Sequence, residues 1–213
     1  MPIEHRYFIN LDKEIIRKKE FLKLNDDGFT RWRATERSEV SLEVDQKMVS
    51  RYNLKRETHL GRCACLMSHL SLLQHIVDHK LNNVLICEDD AAQVAPVPED
   101  YPLTGLVYVG GFFHQNRMTD DSPVDHQSSI GMNEKKDDFR IICMLAYIIP
   151  SWHVAHAILQ YFKDVNRFKA IDITINDVPI DVYYNYPASF IEDPYPSAIC
   201  PKRKHATEFY EFR

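Results

Sequence analysis

Three acids in succession, Glu88-Asp89-Asp90, directly follow the fully apolar run Val84-Leu-Ile-Cys87. Stacked like charge opposes folding unless something binds it. In an extended chain residues i and i+2 point to one side, so Glu88 and Asp90 are expected to converge, with Asp89 opposite until the chain turns. Hard carboxylate oxygens at this spacing suit Mg²⁺ or Mn²⁺, ions that bridge a diphosphate. Such an ion would neutralise the charge growing on a departing nucleoside diphosphate. The competing reading is an acidic cap on a strand end or a helix N-terminus.

Other residues carry weaker signals. Asn10 and Asp12 follow Phe8-Ile9, where a base or ribose would lie at the carboxyl end of a nucleotide-binding strand. Arg17, about one helical turn further, is placed to reach a phosphate or to be a solvated helix charge. No Gly-x-Gly-x-x-Gly or P-loop follows this strand, which speaks against a dinucleotide-dependent dehydrogenase and a P-loop kinase. In Gly61-Arg-Cys-Ala-Cys-Leu-Met-Ser-His69, Ser68 and His69 lack a nearby acid and a Gly-x-Ser-x-Gly elbow. His69 therefore reads first as a hydrogen-bonded core histidine. His75 and His79 read as surface residues. Asp181, between Ile180 and Val182, is either a buried general base or an ordinary turn aspartate. In the tail, Lys202-Arg-Lys-His205 is a solvated terminus, a diphosphate contact or, through His205, a late metal ligand.

These side chains need a scaffold, and the patterning supplies one. Arg6 to Leu11 predicts a buried strand. Ile15, Ile16, Phe21, Leu22 and Leu24 predict the inner face of a helix over 13–24. Phe29 to Ala34 reads as a second strand. A helix is expected over 41–54 with Leu42, Met48, Val49 and Tyr52 inward, and a longer one over 61–81. Val84 to Cys87 and Leu106 to Val109 read as strands, the latter ending at Gly110-Gly111. Residues 93–105 read as a loop, and 114–139 as a long polar loop. Arg140 to Ile149 reads as strand, and Ser151 to Phe162 as a helix capped by Ser151. Strand and turn are mixed over 183–191. The alternation of elements predicts a single α/β domain, a mixed sheet flanked by helices.

Composition agrees. The chain has 213 residues, 45% of them hydrophobic and 27% charged, which suffices for a core without staples. Its net charge of -5 makes a dedicated nucleic-acid binder a poor reading. The charge is uneven: +3 over 1–62 and -8 over 63–213. That split is either a mixed solvated surface or a basic third, with Arg17, Arg31 and Arg33, that helps hold an anionic ligand beside metal-binding acids. No run approaches the ~18 apolar residues of a membrane span. Five cysteines at low density, and an N-terminus unlike a signal peptide, suggest reduced structural thiols and a cytoplasmic setting.

Taken in order, Ile9-Asn-Leu-Asp12 with Arg17, Arg31 to Ala34, Gly61-x-x-x-Cys65-x-x-Ser68-His69, Leu85-x-Cys-Glu-Asp-Asp90 and Pro179-x-Asp181 resemble glycosyltransferase family 25. The resemblance spans residues 8 to about 192. Arg62, Ala64 and Cys87 depart from it, standing where the family has Glu, Gly and Leu. It implies a GT-A-like fold over 1–213, with a nucleotide-binding part over about 1–111 and an acceptor-side part over about 112–213. It also implies transfer from a nucleotide sugar, a UDP-sugar for preference, to a hydroxyl of a glycan or glycoprotein, with inversion and with Mn²⁺ or Mg²⁺. On this pattern Glu88 and Asp90 match metal and ribose positions. Asn10, Leu11, Arg17, Ala34, Ser68, His69 and Asp89 surround the donor, and Asp181 is the candidate base. Alternatives are a sugar-nucleotide hydrolase or nucleotidyltransferase, and a non-catalytic carbohydrate-binding module.

Overall fold

In the computed structural model, residues 1–25, 28–49, 54–115, 131–135, 139–192 and 210–211 are described. The strands are β1 (His5–Asn10), β2 (Phe29–Arg33), β3 (Val84–Glu88), β4 (Ala91–Gln93), β5 (Leu106–Gln115), β6 (Gly131–Glu134), β7 (Phe139–Ile149), β8 (Val182–Tyr186), β9 (Phe190–Glu192) and β10 (Tyr210–Glu211). The helices are α1 (Ile15–Leu24), α2 (Leu42–Lys47), α3 (Arg56–Asp78), α4 (Trp152–Asp164) and the short α5 (Ile171–Thr174). The main sheet runs β2-β1-β3-β7-β5-β8-β6, with β10 on β5; β4 and β9 form a separate ribbon. Pairing is parallel from β2 through β1 to β3 and between β5 and β8; β7 is antiparallel to both its neighbours. The fold is thus α/β with a mixed sheet flanked by helices, as the patterning predicts.

The period-2 pleat divides the core. Ile9, Val84, Ile86, Leu106 and Tyr108 face a cluster with Leu66, Leu72, Ile76, Val154 and Ile158 of α3 and α4. Their neighbours Phe8, Leu85, Cys87, Val107 and Val109 face the other side, against Phe21 of α1 and Phe190. Phe21 stacks on Phe8 with ring centroids 4.4 Å apart. The connection out of β1 leads to β2 on one side, while β3 lies on the other. The carboxyl ends of β1 and β3 therefore flank a topological switch point, where open α/β sheets leave a crevice.

Several elements differ from expectation. On α1, Ile15 and Ile16 are 59% and 64% exposed and Leu22 and Leu24 are also exposed, whereas the buried residues are Arg17 and Phe21. The helix docks through an ion pair and one aromatic ring rather than through an aliphatic stripe. The second predicted helix is reduced to α2; Leu42 is exposed, Met48 leaves the helix to bridge Phe168, and Tyr52 lies outside the described residues. The long helix starts at Arg56, ahead of Gly61, and stops at Asp78. Strand β5 continues past Gly110-Gly111 with register shifts against β7 on both sides of Gly110. The shifts are bulges, which let a strand bend without ending. A Cβ on Gly110 would lie 2.9 Å from Phe190, so glycine permits that close approach. Part of the predicted polar loop is strand β6. Ser151 stands at the N-cap of α4 but makes no side-chain cap bond.

Candidate functional site

The crevice at the carboxyl ends of β1 and β3 is a pocket. Its walls include Leu11, Lys13, Arg17, Ala34, Thr35, Arg37, Cys65, Ser68, His69, Glu88, Asp89 and Asp90. The acidic run divides differently from the simple i, i+2 expectation. Glu88, the last residue of β3, points to the α3 face, as pleat parity with Ile86 requires. Its Oε1 lies 3.2 Å from His69 Nε2 and 3.9 Å from Cys65 Sγ. The chain then turns at Asp89-Asp90. It is therefore Asp89 and Asp90 that converge, on Arg17: its Nη2 is 2.6 Å from Asp89 Oδ1 and 2.9 Å from Asp90 Oδ2.

Arg17 is only 6% exposed, so this is a buried ion triad. Asn10, also buried, donates from Nδ2 to Asp89 Oδ2 at 2.7 Å and accepts from Arg31 Nε at 3.0 Å. Asn10 stands behind the pocket wall and aims Asp89. Burial raises the pKa of Asp89 against the pull of Arg17 and the Asn10 bond. Burial, then the Glu88 charge, pushes Asp90 up to about 7 despite Arg17. Asp90 Oδ1 is buried with no hydrogen-bond partner. An orphaned carboxylate oxygen beside Glu88 in one pocket fits a divalent cation, a hard ion that oxygen donors hold.

Ser68 braces the wall. Its Oγ accepts from Thr35 N–H at 2.8 Å and donates to the Ala64 carbonyl at 2.7 Å. Ala34 N–H donates to the Asn10 carbonyl at 3.0 Å. Together they hold the segment after β2 against α3. His69 is 1% exposed, with Nδ1 2.8 Å from the Tyr147 hydroxyl on β7. It is a core histidine, as its apolar helix suggests, and also a wall of the pocket. The basic first third is less available than its charge implies: Arg31 and Arg33 both bind Asp12, and Arg33 also binds Glu39.

Asp181 does not join the site. It is exposed, accepts from Thr104 Oγ1 at 3.3 Å, and its carbonyl accepts from Leu106 N–H, at the start of β5. The β3–β7 and β7–β5 registers set Leu106 close to the level of Val84. Glu88 is four residues further along, roughly 13 Å at about 3.3 Å per residue. Asp181 is thus at the amino edge of the sheet, because β8 runs parallel to β5 and begins where Asp181 ends. His205 lies outside the described residues.

Two residues escaped sequence reasoning. Cys65 lines the pocket one helical turn before His69; the i, i+4 spacing was the available signal. Asp172, on α5, accepts from the Cys143 N–H at 3.3 Å. Cys143 has a left-handed backbone, φ 65°, within the bulged part of β7, and lies two residues past the level of Glu88 on the carboxyl edge. Asp172 is close enough to contribute, with Glu88, Asp89 and Asp90, to raising the Cys65 thiol pKa, although burial is the largest cause. Asp172 does not itself line the pocket, and nothing in its local sequence marked it as a neighbour of the site.

Residues 3–94 match the model of glycosyltransferase family 25, described as an LPS biosynthesis protein family. That segment contains β1 through β4 and every residue named above as lining the pocket. The match supports a glycosyltransferase, an enzyme with a donor and an acceptor substrate. No curated protein matches the chain. Among the described residues no helix is long and apolar enough to cross a membrane.

Proposed function

We propose that the pocket binds the nucleoside diphosphate of a sugar donor, a UDP-sugar, and that the chain transfers the sugar with inversion to a hydroxyl of a glycan or glycoprotein. The observation that carries this reading is the Glu88-Asp89-Asp90 turn at the β1/β3 switch point, locked on one side by Arg17 and left with an orphaned oxygen on Asp90. Glu88 and Asp90 would hold Mn²⁺ or Mg²⁺, which supplies charge neutralisation of the leaving diphosphate. The chain's own residues do the remainder. Arg17 and Asn10 orient Asp89, while Ser68 and Ala34 fix the wall against which the nucleotide lies.

Inverting transfer needs a carboxylate to take the acceptor hydroxyl proton as that oxygen attacks the anomeric carbon. Asp172 suits this role better than Asp181, since it lies at the carboxyl edge of the sheet and on the acceptor side of the chain. A non-catalytic sugar-binding module would have no use for two aspartates locked on a buried arginine with a third acid, Glu88, beside them. The test is thermal unfolding with UDP and Mn²⁺, followed by product analysis with UDP-sugars and glycan acceptors. Ligand at 100 times its Kd adds about 2.7 kcal/mol of stability. A clear rise in Tm and a new glycosidic product are expected. No stabilisation by any nucleoside diphosphate would sink the reading, and donor turnover without an acceptor product would convert it to a hydrolase.

A further inference from the structure

The Glu88 carboxylate has partners that a hard-ion reading does not use. Cys65 and His69 are one turn apart on α3, and both project to the pocket face that Glu88 meets from β3. The donor atoms Cys65 Sγ, His69 Nε2 and Glu88 Oε1 all lie within 4.8 Å of one another. A tetrahedral zinc-class ion with bonds of about 2.0–2.3 Å separates N and O donors by about 3.3 Å, and S and O donors by about 3.5 Å. The observed separations are 3.2 Å and 3.9 Å.

The outer contact is also in place. His69 Nδ1 is tied to the Tyr147 hydroxyl at 2.8 Å, which fixes the ring and turns Nε2 toward Glu88, as ligating histidines are held by their other nitrogen. A second group, Asp45, His59 and Cys63, has its ligand atoms similarly close, but Arg56 clamps both Asp45 oxygens at 2.6 and 2.5 Å. A fixed cation there already does what a metal would do.

We propose that Cys65, His69 and Glu88 form a binding site for a borderline transition-metal ion of the zinc class, with its fourth position open to the pocket. Thiolate and imidazole select such an ion over Mg²⁺. Three protein ligands with one open position are the pattern of a site that engages a ligand rather than a closed structural one. On binding, the Cys65 thiol gives its proton to solvent and the sulfur bonds to the ion. With one thiolate and one carboxylate the loaded site is neutral. The inference rests on these donors alone and stands whether or not the pocket takes a nucleotide sugar.

The test is Co²⁺ titration of the full, reduced chain without nucleotide. One equivalent should produce a near-ultraviolet sulfur-to-cobalt charge-transfer band and intense visible bands of a tetrahedral site, both displaced by Zn²⁺ and not by Mg²⁺. Cys65→Ser should abolish the charge-transfer band, whereas Cys63→Ser should retain it. Tyr147→Phe should keep the band and weaken the ion about tenfold or more. Absence of the band in the unaltered chain overturns the proposal without reference to any variant. So does a band that survives Cys65→Ser, or one lost with Cys63→Ser, which would transfer the site to Asp45 and His59. UDP binding with Mn²⁺ in a chain that gives no cobalt band would leave the donor-site reading intact and remove only this one.

Discussion

Replacing Asp90 by Asn should stabilise the fold at alkaline pH while impairing ligand binding. Asp90 is buried, and burial with the neighbouring Glu88 charge raises its pKa to about 7. An unfolded aspartate titrates near 3.9. Between those values the folded chain keeps a proton that the unfolded chain has released, so stability is full below about pH 4 and falls as pH rises through about 7. At about 1.4 kcal/mol per pH unit, a rise of about three units disfavours the ionised folded chain by roughly 4 kcal/mol at pH 8. Asn removes that penalty and keeps an oxygen for Arg17 Nη2. It also sets an amide NH₂ where Oδ1 has no partner, and a buried unsatisfied donor costs about 1–3 kcal/mol. The net expectation is a gain of about 1–3 kcal/mol at pH 8 and a loss of at most about 2 kcal/mol at pH 4.5, where the folded carboxyl is neutral and the unfolded one has begun to ionise. Urea denaturation at both pH values, with reductant and chelator present, measures the difference. Mn²⁺-supported UDP affinity should fall in the same variant. Urea curves whose separation does not change with pH would refute the argument, because they would show Asp90 titrating alike in the folded and unfolded chain.

Other variants separate the roles. Arg17→Met leaves Asp89 and Asp90 buried without their cation; about 3–5 kcal/mol of stability should be lost at pH 8, and less at pH 5 where Asp90 is protonated, by the same urea assay. Asp172→Asn should lower kcat roughly 10²-fold or more with donor affinity kept, while Asp181→Asn should stay within about twofold of wild type because that side chain is at the far edge of the sheet; steady-state transfer assays decide both. Gly105→Ala would bring a Cβ to 2.2 Å from the Asp181 carbonyl oxygen, so β5 and β8 must part; a loss of at least about 1–3 kcal/mol is expected, with transfer by the remaining folded enzyme unchanged.

The sequence was most legible where burial is two-sided. β3, β5 and β7 are long apolar runs, and each lies where the runs stand, since only a sheet interior removes such segments from water on both faces. It was least legible on α1. Five aliphatic and aromatic residues suggested an apolar face, yet tertiary pairing with Asp89 and Asp90 turned Arg17 inward and left Ile15 and Ile16 outside. No local pattern predicts that, because the partner acids are more than seventy positions away in the chain. The acidic run was read as a site from its position after a strand, but the partition of its side chains depends on where the chain turns, a backbone detail that Glu-Asp-Asp does not encode. The burial expected of Asp181 from its apolar neighbours is not met, because it stands just ahead of β8, where the chain is still at an exposed edge. Ser68, His69 and Cys65 share one motif and one helical face, yet a low density of cysteines reads as structural thiols, so composition hides the Cys65 contact with Glu88.

The ion triad also bears on what the pocket needs. Arg17 supplies one positive charge to three adjacent acids, and Asn10 contributes only dipoles. With all three ionised the cluster carries two negative charges in a largely buried setting, where charge is expensive. The chain's own means of relief is to protonate Asp90, which the raised pKa expresses. A divalent cation bound through Glu88 and Asp90 would bring the sum to zero and drive the Asp90 proton off, so binding should release protons most strongly at and below pH 7. The same arrangement explains why α1 needs little apolar contact. Its attachment is made by Phe21 on Phe8 and by Arg17 on the acids, so the group that docks the helix is the group that sets the charge of the site.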